Sequence, residues 1–192
     1  MSHTEIYNPM TNARLDETSN TDILGSIVLQ EVGLDIEFWQ GTGYETNSEW
    51  SNDPDSDDQR LLKATGMKKN QVLGVDNVIF AAHSAYREGD AGKNLYFSPL
   101  LKSKDGSFKE NPSVDELMIQ VGNIISVYQK SDNKIYEFSI SNIFIYTGED
   151  GFQALIDAQG DIKDRPQLTL YVCSNQKATA RLVVQAEFIE KK

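Results

Sequence analysis

Thr169-Leu170-Tyr171-Val172-Cys173, seven small or polar residues, then Arg181-Leu182-Val183-Val184-Gln185-Ala186-Glu187-Phe188 is the stretch from which the rest of the chain is read. Both runs are rich in aliphatic, aromatic and β-branched residues and read as strands. The connection Ser174-Asn175-Gln176-Lys177-Ala178-Thr179-Ala180 has a length that suits neighbouring antiparallel strands. Side chains alternate faces along a strand. Leu168, Leu170 and Val172 therefore share one face, and Gln167, Thr169, Tyr171 and Cys173 the other. In the second run Leu182, Val184, Ala186 and Phe188 form the apolar set, with Arg181, Val183, Gln185 and Glu187 opposite. If both aliphatic sets enter one core, Cys173 and Arg181 emerge from the same sheet surface, the more polar one.

Cys173 is the only cysteine, and His83 is the only histidine besides His3. A free cysteine is most often an inert, buried small hydrophobe, and a lone histidine after an apolar run is most often structural. The parity argument sets Cys173 apart, because it takes the thiol off the aliphatic face. A thiol, an imidazole and a guanidinium are together the parts of a cysteine acyl-transfer site. The thiolate is the nucleophile. His83 is the candidate general acid/base, protonating a leaving amine and deprotonating an incoming one. Arg181 offers fixed N–H donors and a permanent charge to a substrate backbone or an oxyanion.

At 192 residues the chain is expected to form one domain with a substantial core. Its net charge is −11, and the acid is unevenly spread. Residues 1–60 hold 13 Asp/Glu against 2 Lys/Arg, whereas residues 61–192 hold 16 of each. Nothing in this pattern resembles a basic nucleic-acid footprint, so no nucleic-acid partner is expected. A single cysteine excludes an intramolecular disulfide and a thiolate metal cluster. There is no apolar run of membrane-spanning length and no signal-peptide pattern in the polar first twenty residues.

Residues 1–20, with Pro9 and several Asn and Thr, lack a clear period and read as a flexible leader to a domain over 21–192. Residues 23–29 and 34–39 read as strands around Gly33, and residues 77–83, 123–129 and 134–146 as further strands. Short helices are expected over 114–119, with Ser113 as cap and Glu116 three residues on, and over 151–159. About eight strands and two or three short helices predict a mostly antiparallel β-barrel. The segment 45–58 carries Glu45, Glu49, Asp53, Asp55, Asp57 and Asp58. Its Asp-x-Asp-x-Asp start is like a calcium loop, but Asp58 stands where the turn glycine belongs and Ala64 where the closing glutamate belongs. A solvated acidic loop is the better reading, with a weak Ca²⁺ site left open.

These residues resemble the sortase family. Its members carry a Thr-Leu-x-Thr-Cys strand with an arginine about eight residues on, here Thr169 to Cys173 and Arg181 within Ala178-Thr179-Ala180-Arg181. The upstream Gly66-Met67, Gly74, Asn77 and Val78-Ile79-Phe80-Ala81-Ala82-His83 are similar to the strand that ends in the family's catalytic histidine. Tyr96-Phe97-Ser98-Pro99-Leu100, Gly122 to Tyr128 and Tyr136-Glu137-Phe138 are similar to the segments that follow, so the likeness runs from about residue 22 to 189 in order. The cysteine-to-arginine spacing is most like class A, the housekeeping group. The chain departs from the pattern at Val172, where the family usually has Thr, and in apparent insertions over 44–59 and 102–116.

The resemblance implies an eight-stranded sortase-like β-barrel with a few short helices, and His83, Cys173 and Arg181 as the catalytic residues. It implies a transpeptidase that cleaves a Leu-Pro-x-Thr-Gly-like sorting signal after Thr through a thioacyl enzyme. The surface protein would then pass to an amine of a peptidoglycan precursor. Substrate-binding positions would be Ala81, Ala82 and Val172 beside the catalytic residues, and Ala154, Leu155 and Ile156 in the loop covering the Leu-Pro part. No cofactor is required on this reading. Family members usually carry an N-terminal membrane anchor, so this chain is expected to be a soluble fragment of a protein on the extracellular face of the cell membrane. A cysteine protease that transfers to water and a non-catalytic β-barrel adhesin remain open alternatives.

Overall fold

The computed structural model describes residues 7–8, 13–14, 23–39, 64–66, 71–84, 96–147, 166–177 and 179–192. Two short strands, β1 (Tyr7–Asn8) and β2 (Ala13–Arg14), pair only with each other among the described residues. Eight more strands close a barrel: β3 (Ile23–Leu29), β4 (Leu34–Trp39), β5 (Ala64–Gly66), β6 (Asn77–Ala81), β7 (Ile124–Gln129), β8 (Lys134–Tyr146), β9 (Gln167–Cys173) and β10 (Arg181–Lys191). Round the barrel the order is β10-β8-β7-β3-β4-β5-β6-β9, with β9 returning to β10. The expected eight-stranded, mostly β architecture is what the chain adopts. Two of the pairings, β4–β5 and β6–β9, are parallel.

The period-two pattern of the sequence becomes inside and outside. Leu34, Ile36 and Phe38 alternate with Asp35 and Glu37 along β4, and the first three are buried while the two acids are exposed. Leu168, Leu170 and Val172 of β9 meet Leu182, Val184 and Ala186 of β10, Val78 and Phe80 of β6, and Ile125, Val127 and Phe138 in one core. Two glycines are required by geometry. Gly33, at φ 72°, ends the short 3-10 turn Gln30–Val32 in the left-handed conformation that joins β3 to β4. Gly25 lets β3 and β7 approach: a Cβ there would lie 1.8 Å from the Tyr128 carbonyl oxygen.

The helices are smaller than the sequence suggests. Of the expected helix over 114–119 only the 3-10 turn Val114–Glu116 forms, although its start signal works as expected. The Glu116 carboxylate accepts from the Ser113 backbone N–H at 3.0 Å and from the Ser113 hydroxyl at 2.9 Å. The expected helix over 151–159, and most of the leader and the acidic loop, lie outside the described residues.

β6 is the strand that matters for the site, and it is buried on both faces along its whole length. β5 pairs only with its last two residues. Further up, the side chain of Gln71 replaces the missing neighbour: its Oε1 accepts from the Ile79 N–H at 2.7 Å and its Nε2 donates to the Ile79 carbonyl at 3.3 Å. On the other side the Thr169 hydroxyl donates to Asn77 Oδ1 at 3.0 Å, a buried polar link between β6 and β9.

Candidate active site

Three strand ends converge on one rim of the barrel. Cys173 closes β9 and lies directly opposite Arg181, the first residue of β10. β6 runs parallel to β9 with Ala81 opposite Tyr171. His83 lies two residues past Ala81, just as Cys173 lies two residues past Tyr171. The pairing ends at Ala81 and Tyr171, and the chain leaves β6 toward His83 at the same end of the barrel at which β9 reaches Cys173. Positions 173 and 181 share a face, as strand parity predicts. A parallel pairing between segments 90 residues apart leaves no trace in local periodicity, and it is this pairing that brings His83 to the rim.

His83 is held from behind. Its carbonyl accepts the Phe97 N–H at 3.0 Å, and its ring meets that of Tyr96 edge to face, with centroids 6.3 Å apart. Tyr96 adopts φ 54°, which turns the chain sharply and sends Phe97 and the 3-10 turn Ser98–Leu101 into the core. The Tyr-Phe-Ser-Pro-Leu string is thus a wedge under the histidine. On the other flank Arg181 donates from Nη1 to the Ala180 carbonyl at 3.0 Å, and the Ser174 N–H donates to that same carbonyl at 3.0 Å.

Cys173 is half-buried. Burial pushes its thiol above the ordinary cysteine range, and the Arg181 charge pulls it partly back. The resting sulfur is therefore protonated near neutral pH, and a base is needed to make it nucleophilic.

The other positions expected to bind substrate divide by strand face. Ala81 lies on the outer face with Cys173, in a small cluster with Ile79, Tyr171 and Val183, against which Phe144 and Tyr146 pack. Ala82 and Val172 point the opposite way, into the main core, and Val172 is 1% exposed. Their side chains are occupied by packing, so contact with a ligand at these two positions falls to the backbone. Ala154, Leu155 and Ile156 lie outside the described residues, as does the acidic loop over 45–58 with its calcium-like start. Among the described residues no group of His, Cys, Asp and Glu is arranged to hold a metal ion. No helix among them is long and apolar enough to cross a membrane.

One expectation changes. The face carrying Cys173 is not polar near the site: Ile79, Ala81, Tyr171 and Val183 are all nearly fully buried on it. The signal was present in the sequence, since these apolar residues share the thiol's parity, as do Phe144 and Tyr146 on the next strand.

No protein-family model matches the chain. In sequence it is 27% identical over 172 residues to Sortase A of Streptococcus agalactiae serotype III (strain NEM316), a match that covers 89% of this chain. The chain spans about half the length of that relative, 55%. Among solved structures, sortase A of Listeria monocytogenes aligns with a TM-score of 0.59 at 19% identity, covering 88% of this chain and 89% of the other. The Sortase D5 transpeptidase of Clostridium perfringens aligns at 0.56 with 16% identity, covering 90% and 82%. The lid mutant of Streptococcus agalactiae Sortase C1 aligns at 0.56 with 14% identity, covering 88% and 71%. Structures of three lettered classes match almost equally well, so the fold itself does not favour one class.

Proposed function

We propose that this sortase-family chain is a cysteine transpeptidase of the class A type, with Cys173 as nucleophile, His83 as general acid/base and Arg181 as the substrate-orienting or oxyanion-binding cation. The single observation that carries the reading is the convergence of the ends of β6, β9 and β10, with Cys173 and Arg181 in direct register. A structural cysteine has no reason to face a guanidinium at a barrel rim, two residues past an apolar platform.

The chemistry follows from the groups. His83 takes the proton of the Cys173 thiol as sulfur attacks the carbonyl carbon after Thr in a Leu-Pro-x-Thr-Gly-like signal. The carbonyl oxygen becomes an oxyanion, for which the planar Arg181 fork offers directed donors. Collapse breaks the C–N bond, His83 returns its proton to the leaving glycine amine, and a thioester remains on Cys173. An amine of a peptidoglycan precursor then attacks the thioester, His83 removes its proton, and the thiol leaves. The half-buried Phe144 and Tyr146, packed over the buried cluster around Ala81 and Tyr171, offer an apolar surface for an extended peptide, and Ala154, Leu155 and Ile156, which follow in the chain, would add apolar contacts to its Leu-Pro part. The full protein would act at the extracellular face of the cell membrane, held there by an N-terminal anchor.

Mass spectrometry after incubation with a sorting-signal peptide and an amine tests the reading. A peptide–amine adduct is the expected product. Hydrolysed peptide alone would make the chain a cysteine protease, and unchanged peptide would leave a non-catalytic binding module. The same assay in EDTA is expected to give full activity, because the 45–58 loop lacks the turn glycine and closing glutamate of a strong calcium loop. Activity lost in EDTA and restored only by calcium would make a metal part of the machinery.

A further inference from the structure

The apparent insertion over 102–116 is a folded unit. Its ends pair through Ser103 with Leu117 and through the Met118 N–H with the Lys102 carbonyl at 2.8 Å. A turn forms where Asp105 accepts from the Ser107 N–H at 2.9 Å, and Lys109 and Glu116 form an ion pair at 2.8 Å. What this unit grips is the connection that follows the nucleophile. The Asn111 N–H donates to the Ser174 carbonyl at 2.8 Å. Asn175 Nδ2 donates to Asn111 Oδ1 at 2.9 Å. The Gln176 N–H donates to Glu110 Oε1 at 3.0 Å. Two successive residues of the insertion thus hold the first three residues after Cys173.

Asn175 extends the grip across that connection. Its Nδ2 also reaches Thr179 Oγ1 at 2.9 Å, and its Oδ1 accepts the Thr179 N–H at 3.0 Å. Asn175 is 7% exposed and Ser174 fully buried, so their side of these hydrogen bonds is inside the protein while Asn111, Thr179 and Glu110 lie at the surface. Asn111 adopts φ 51°, a left-handed conformation that asparagine tolerates better than most residues, and this turns its backbone N–H and its side chain toward the same connection. A loop packed only for its own stability would spread its contacts. These converge on a segment whose two ends are Cys173 and Arg181.

We propose that the 102–116 loop is a clamp on the connection between β9 and β10 that fixes where Cys173 and Arg181 sit relative to each other. Glu110, Asn111 and Asn175 are its positioning residues. The kinetic consequence rests on the transpeptidase reading, whereas the mechanical one does not. Because Cys173 is the only cysteine, its alkylation by iodoacetamide reports the exposure of this one sulfur in the full chain. Among the described residues the charge that acts on this sulfur is that of Arg181 on β10, and Glu110 of the clamp sits on the Gln176 N–H, three residues on.

The test compares alkylation rate at neutral pH with peptide–amine transfer in Asn111→Gly, Asn175→Ala, Glu110→Ala and Glu110→Gln. Asn111→Gly keeps the left-handed backbone and removes only the side-chain acceptor. Released, the connection hydrates the thiol, so alkylation is expected to quicken at least threefold in Asn111→Gly and Asn175→Ala. Transfer is expected to slow about tenfold in kcat, with KM within twofold. Glu110→Gln, which keeps an acceptor for the Gln176 N–H, is expected to behave as wild type, while Glu110→Ala shifts both readouts the same way as the other two. General destabilisation would also speed alkylation and slow transfer, so a thermal melt of each variant separates the two: a clamp variant keeps a Tm close to wild type while both readouts move. Alkylation and kcat both unchanged in folded Asn111→Gly and Asn175→Ala would overturn the proposal. If Asn175→Ala does not fold, Asn111→Gly decides alone. If the wild type transfers nothing, the enzymatic reading fails and the alkylation rates still decide the clamp.

Discussion

The sulfur of Cys173 lies between two opposed influences, burial that favours the thiol and the Arg181 charge that favours the thiolate, and burial wins. Linkage gives that balance a sign. The folded chain holds the thiol proton more tightly than the unfolded one, so this group's contribution to stability is fully present below the ordinary thiol pKa of about 8.5 and is lost as pH rises above it. Cys173→Ala removes the term. The variant is therefore expected to show no peptide cleavage, an intact fold, and a shallower loss of stability than wild type in alkaline melts. Cleavage surviving in the variant would end the catalytic assignment, and parallel alkaline curves would mean that the sulfur is less buried than its place on the rim indicates. Val172, the next residue, is a second case. Parity sends its side chain into the core, where it is 1% exposed among Leu168, Leu170 and Leu182. Val172→Thr has almost the same shape but buries a hydroxyl among carbon atoms. A loss of about 1–2 kcal/mol is expected, with kcat/KM little changed. A variant that is faster and equally stable would place residue 172 on the substrate side of the strand.

At the scale of elements, β3 and β7 are pressed together at Gly25. A Cβ there would meet the Tyr128 carbonyl oxygen at 1.8 Å and Phe38 Cε1 at 2.7 Å. The oxygen is backbone and cannot rotate away, so Gly25→Ala must part the two strands or break their ladder. A cost of about 3 kcal/mol is expected, the upper part of the range for overpacking, which lowers Tm by roughly 6–12 °C in a chain of this size. A melt within two degrees of wild type would show that the approach is softer than the contact implies. What could be read from sequence divides along the same line. β3, β4, β8 and β9 fall at the residues expected of them, because alternation over six or more residues is a strong signal. The three-residue β5 is too short to carry a period, and the helix expected over 114–119 stops after one turn because Leu117 leaves it for an extended bridge to Ser103. Cys173 and Arg181 could be paired from parity and loop length. The parallel pairing of β6 with β9, which leads the chain to His83, and the reach of Asn111 to Asn175 are contacts across distant sequence that no local pattern encodes.

For the molecule as a whole, the ring of pairings runs from β3 to β10, and among the described residues none before Ile23 takes part in it. β9 and β10, the two strands that carry Cys173 and Arg181, pair with each other to complete the barrel. Loss of the β9–β10 pairing would therefore disturb the barrel and the site together. The N-terminal third, by contrast, carries the whole charge imbalance: 13 acids and 2 bases over residues 1–60, against 16 of each over the rest. Charges of one sign at a distance repel weakly and are screened by salt beyond about 10 Å at 0.1 M. Removal of residues 1–20 takes away Glu5, Asp16 and Glu17 together with Arg14, and it leaves every barrel pairing intact. A chain over 21–192 is expected to melt in a single transition within about 3 °C of the full chain, a shift worth roughly 1 kcal/mol at this size. Its transfer activity should also match. If the truncated chain melts far lower, or loses kcat while its Tm holds, residues 1–20 belong to the catalytic domain and the domain boundary near residue 20 is wrong.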